Sequence, residues 1–189
     1  MPEYNERFNR IITGNIGFDS MLNGGLIKGT STLIAGGPGT GKTTLTFHFL
    51  LHGCDYNESS LYISLQDSPE VILRTIHNTF TTAVKHYIKN GRLTIYNNEN
   101  LDKTFNEILN KTRAKRVVID SFMIDDNYDK KLHGTIAKII KTCKERSITV
   151  LLIGDVTNSI DEFAPVKSGL TAVIDNIVCL KHVGTGLEA

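Results

Sequence analysis

Residues 31–53 read STLIAGGPGTGKTTLTFHFLLHG, and this stretch decides the fold. Ser31 to Ala35 form a short apolar run rich in strand-forming types. A glycine-rich turn follows, and a pattern of helical length opens near Lys42. Gly36, four further residues, then Gly41, Lys42 and Thr43 match GxxxxGK(S/T) in the strand-then-helix context that the motif requires. The glycines let the backbone curl so that successive N–H groups point inward at a polyphosphate, and the helix start adds the positive end of its dipole. The candidate nucleotide-binding residues are therefore Gly36, Gly37, Pro38, Gly39, Thr40, Gly41, Lys42, Thr43 and Thr44. Lys42 is expected to reach the β- and γ-phosphates, and Thr43 to ligate Mg2+ through its hydroxyl.

A site of this kind needs a second acidic group at the end of a neighbouring buried strand. RVVIDS, residues 116–121, supplies Asp120 there, and it is expected to hold the metal through a coordinated water. Around these two segments, short apolar runs alternate with helical patterns, which is the signature of an α/β fold with a central, mostly parallel sheet. The expected strands are 31–35, 60–65, 92–96, 116–120, 148–154 and 172–180; the expected helices are about 42–52, 69–89, 100–112 and 131–146. Most of the strands are continuously apolar, as strands covered on both faces must be. Ser68 is placed to cap the second helix and Pro69 to open it.

Lys plus Arg total 21 and Asp plus Glu total 20, a net charge of +1, so no global field draws the chain to nucleic acid or a membrane surface. No apolar run approaches the roughly 20 residues that span a bilayer. Cys54, Cys143 and Cys179 are widely spaced and form no CxxC, which fits core thiols in a reducing, cytoplasmic setting. The 189 residues suit one domain.

Four segments in order resemble a KaiC-like domain of the RecA superfamily. They are TGNIGFDSMLNGGLIKGTSTLIAGGPGTGKTTL from Thr13, YISLQDSPE from Tyr62, VVIDSF from Val117, and DVTNSIDEFAPVKSGLTAVIDNIVCLKHV from Asp155. The resemblance implies a RecA-type ATP-binding core spanning 1–189, with ATP and Mg2+ as ligands. It also implies ATP bound between neighbouring subunits of a homo-oligomeric ring, often a hexamer. The family's closing β-hairpin, which carries a basic motif, has no match in KHVGTGLEA, so the chain is expected to lack it and neither Lys181 nor His182 is assigned as a cation acting on a neighbour's ATP.

The second departure falls at Gln66 and Asp67, where the family has two carboxylates, the first orienting or deprotonating the attacking water. A carboxylate can do both, whereas an amide can only orient. Gln66 and Asp67 thus join Lys42 as candidate catalytic residues of a slow ATPase that uses ATP state to regulate assembly or partner binding. A non-hydrolysing, ATP-gated scaffold and a DNA-dependent recombinase paralogue are the alternatives. The segment 156–169 carries Asp161 and Glu162 against one Lys167, poor material for gripping phosphates. Asp155 is either a γ-phosphate sensor or a turn residue. His48 and His52 are read as helix-surface residues, and Asp125, Asp126 and Asp129 as an acidic loop.

Overall fold

Continuously apolar strands need cover on both faces, and in the computed structural model of the chain they receive it. Residues 9–97, 101–123, 130–155 and 173–182 are described. Six strands form one sheet: β3 (Ser31–Gly36), β4 (Ser60–Ser64), β5 (Leu93–Asn97), β6 (Arg116–Met123), β7 (Thr149–Asp155) and β8 (Asn176–Leu180), in the order β5-β4-β6-β7-β3-β8. Every pairing among them is parallel. Two-residue strands β1 (Arg10–Ile11) and β2 (Leu26–Ile27) pair antiparallel and flank the short helix α1 (Ile16–Met21).

The strand period of two divides the core. On one face Leu33, Ala35, Leu61, Ile63, Val117, Ile119, Val150 and Leu152 pack under α5 (Leu101–Thr112) and α6 (Lys130–Glu145). On the other, Ile34, Tyr62, Val118, Leu151 and Ile153 pack under α2 (Lys42–Asp55), α3 (Pro69–Thr75) and α4 (His77–Lys89). The single helix expected over 69–89 is therefore two. Its apolar stripe is continuous, since Ile72, Ile76, Phe80 and Val84 are all buried, but Ile76 lies outside both helices.

Cys54 and Cys143 are buried, and burial pushes the Cys143 thiol up to about 12. Cys179 departs from the core reading. It is exposed on β8, the strand at the end of the sheet order. Asp125, Asp126, Asp129 and the segment 156–169 lie outside the described residues. Among the described residues, no helix is long and apolar enough to cross a membrane.

Candidate functional site at the carboxyl edge of the sheet

Parallel pairing brings the carboxyl ends of the strands to one edge, the place where open α/β sheets bind ligands. β3 ends in Gly36, β4 ends in Ser64, and Asp120 of β6 is the register partner of Ser64. Strand parity puts Asp120 on the same face as Val118, under α2. β6 continues past Asp120 to Met123, but the steps from Ile119 to Phe122 match only those from Leu152 to Gly154 on β7. One extra residue is thus inserted beside Asp120, a bulge of the kind that re-aims side chains next to sites.

The loop from Gly36 to Thr43 turns directly into α2. Gly39 and Gly41 have φ of +76° and +91°, left-handed values that favour glycine. Gly41 is the helix N-cap and brings no side chain to the first-turn N–H groups, which face the loop without a side-chain cap. A Cβ on Gly37 or Gly41 would meet nothing within 4 Å, so space opens beside the loop. Lys42 is buried, and its Nζ donates to the carbonyls of Gly36 at 2.8 Å and Gly37 at 2.9 Å. The Thr40 hydroxyl also donates to Gly37 O, at 2.8 Å. Thr43 is half-buried and Thr44 exposed in the first turn of α2; Pro38 and Gly39 are exposed at the crown.

Gly36 is sterically closed. A Cβ there would sit 2.6 Å from the main-chain oxygen of Leu180 and 2.7 Å from Thr40 Oγ1. Gly36→Ala is expected to lower stability by about 1–3 kcal/mol, because backbone as well as a side chain must move. Urea denaturation of the variant measures it; an unchanged midpoint would show that β8 yields freely.

Asp120 is half-buried, and its Oδ2 accepts a hydrogen bond from the hydroxyl of Tyr62. Its main-chain oxygen accepts from Leu65 N at 2.5 Å. Tyr62 is fully buried and stacks on Phe47 with centroids 4.9 Å apart. Burial pushes the Tyr62 hydroxyl upward, and the charge and hydrogen bonding of Asp120 push it further, so it remains a donor. Reading the sequence alone left Tyr62 as one more strand residue. The available signal was a hydroxyl-bearing ring in an aliphatic strand, two positions before its polar tip.

Gln66 and Asp67 follow the last residue of β4, and both are exposed. Their backbone N–H groups donate to Ser64 Oγ at 3.3 and 2.8 Å, while Asn97 Nδ2 donates to Asp67 O at 2.7 Å. The turn is thereby fixed by Ser64 and Asn97, and the Gln66 carboxamide has no hydrogen bond to a described residue. Ser68 occupies the N-cap position with Pro69 behind it, but its side chain makes no capping bond to the helix backbone. The Ser68 hydroxyl instead binds the Glu70 carboxylate and holds that carboxyl below its usual range.

His48 and His52 are half-buried packing groups. His48 meets the Phe80 ring edge-on, and His52 stacks on Tyr56. Among the described residues no three His, Cys, Asp or Glu side chains are grouped to hold a metal. The Asp155 backbone pairs with Gly36, but its side chain lies outside the described ones. His182, set aside in the sequence, lies against the loop: its Nε2 is 3.3 Å from Pro38 O, a bond it makes as the donor in the Nε2–H tautomer.

Sheet order, strand-tip acid and glycine loop together define a RecA-like fold of the P-loop class. The family model for the KaiC ATPase matches residues 11–186, and the chain belongs to that family. Its relatives include the circadian clock oscillator protein KaiC of Parasynechococcus marenigrum, 31% identical over 94% of this chain and 38% of the relative. That of Prochlorococcus marinus (strain MIT 9313) is 30% identical over 92% of this chain and 38% of its own length. The chain thus spans under two-fifths of these relatives. A crystal structure of a KaiC-like protein from Pyrococcus horikoshii superposes with a TM-score of 0.77, covering 96% of this chain and 84% of the other at 23% identity, and supports the fold.

Proposed function

We propose that the chain binds Mg-ATP at Gly36–Thr44 and hydrolyses it slowly, with ATP state governing self-assembly, as a ring of copies, or the affinity of a protein partner in the cytoplasm. The observation that carries this reading is the meeting of three features at one sheet edge: the glycine loop, the uncapped start of α2, and Asp120 in register with the tip of β4. The donor set suits a magnesium polyphosphate. Left-handed glycines and an open face give backbone N–H groups access to phosphate, Lys42 adds a cation, and Thr43 and Asp120 are oxygen ligands that would hold the metal, Asp120 through water. When bound, Mg2+ neutralises charge developing on the transferred phosphoryl group.

The protein's own part is positioning. Lys42 exchanges its bonds to Gly36 O and Gly37 O for the β- and γ-phosphates, so the ammonium need only turn outward from a loop it already braces. Gln66, held at the strand tip by Ser64, orients the attacking water through its amide but has little power to take the proton. Turnover is slow for that reason. Gln66→Glu is expected to raise the single-turnover rate about tenfold, the low end of what a positioned base contributes, because phosphoryl transfer leans little on a base. Phosphate release from labelled ATP measures it, and a rate no higher than the parent's would remove Gln66 from the water's path.

The exposed Gln66 amide also favours a second reading, an ATP-gated scaffold without useful hydrolysis. The two part on whether the unmodified chain releases phosphate at all. The assembly half of the proposal is tested by mass in solution with and without a non-hydrolysable ATP analogue. A nucleotide-dependent rise supports it, and a monomer under both conditions refutes it.

A further inference from the structure

The geometry points to Tyr62 as a positioning residue that fixes the Asp120 carboxylate, through its hydroxyl, in the orientation that receives magnesium-bound water. The inference rests on the Mg-ATP reading and deepens it. Asp120 stands beside a bulge and is half-buried, so the backbone alone leaves its carboxylate room to turn. The Tyr62 hydroxyl donates to Oδ2 and picks one orientation. The donor itself cannot wander, because the Tyr62 ring is wholly buried and stacked on Phe47 with planes 29° apart.

Phe47 belongs to α2, one turn beyond Thr43, and residues four apart share a helix face. Thr43, Phe47, Tyr62 and Asp120 thus form one continuous path from the first candidate metal ligand to the second. The path explains why a polar ring stands in an otherwise aliphatic strand: phenylalanine would fill the same volume but could not hold the carboxylate. Partners of this kind, which orient a metal-linked group without touching the metal, are commonly worth 10–100-fold in metal affinity or activity.

The test reads binding, so it does not depend on hydrolysis. The affinity of a fluorescent ATP analogue is titrated against Mg2+ in the parent, Tyr62→Phe, Asp120→Asn and the double variant. Tyr62→Phe keeps the ring and should fold cooperatively, with parental affinity in EDTA. Its half-saturating Mg2+ concentration should rise about tenfold. In the Asp120→Asn background the same change should add little, since the carboxylate through which Tyr62 acts is gone. Parental Mg2+ dependence in Tyr62→Phe would overturn the assignment, as would an equal shift in both backgrounds, which would make the effect one of packing. A parent that binds the analogue with no Mg2+ dependence would defeat the Mg-ATP reading itself, a result separable from failure of Tyr62 alone.

Discussion

Lys42→Ala should lower single-turnover ATP hydrolysis by about a hundredfold or more, with little change in the fold. Phosphoryl transfer through a loose transition state gives the protein little covalent chemistry to do, so charge placed against the phosphates carries most of the catalysis, and loss of one such donor costs about 10²–10³. Lys42 is the candidate cation in the loop itself, and burial against Gly36 and Gly37 holds it within reach. Truncation also removes two hydrogen bonds to the loop, each worth about 1 kcal/mol net, and water on the open side of the loop can replace part of that. The loss of rate should therefore far outrun the loss of stability. Rapid-quench measurement of phosphate release, with urea denaturation of the same samples, compares the two. A parental rate in Lys42→Ala would place hydrolysis at another site.

The second large effect is structural and lies at the opposite edge of the sheet. Arg116 opens β6, is 3% exposed, and its Nε bonds Glu58 at 2.6 Å. One terminal nitrogen donates to Ile12 O at 2.7 Å and Phe49 O at 2.9 Å, and the guanidinium lies 4.9 Å from the Phe49 ring centroid. One side chain thus ties the N-terminal segment, α2 and the start of β6 together. α2 makes room with Gly53, where a Cβ would come within 2.5 Å of Arg116 Cδ and Nε. Arg116→Met keeps much of the volume but leaves two backbone carbonyls and Glu58 without their donor. Breaking buried ion pairs costs about 3–5 kcal/mol, and the partial exposure of Glu58, 27%, favours the lower figure. At about 3 kcal/mol, the melting temperature of a chain this size should fall by roughly 6–12 °C. Calorimetry of the variant decides the matter; a fall of only a degree or two would mean that the cluster relaxes around methionine.

These two residues mark what the sequence made legible. Lys42 could be placed because its role depends on neighbours in the chain: the glycines before it, the strand behind them and the helix it opens. Most main strands were readable for the same local reason, since continuous apolar runs such as Thr149–Ile153 announce burial on both faces. Arg116 and Tyr62 draw their roles from residues 58 positions away in the chain, Glu58 and Asp120. Those partners meet only once β4 and β6 have paired in register, which no periodicity announces. The β1–α1–β2 unit escaped because two-residue strands and a six-residue helix are too short to show a period. The break at Ile76 was hidden by an apolar stripe that continues through it.

The central claim is that this glycine loop and strand-tip acid make a slow, magnesium-dependent ATPase. Single-turnover release of phosphate from γ-labelled ATP by the unmodified chain, in Mg2+ and in EDTA, tests it most directly. Slow release in Mg2+ that vanishes in EDTA and in Lys42→Ala is the predicted result. Release in Mg2+ no faster than the Lys42→Ala background would contradict the claim and leave an ATP-gated scaffold in its place.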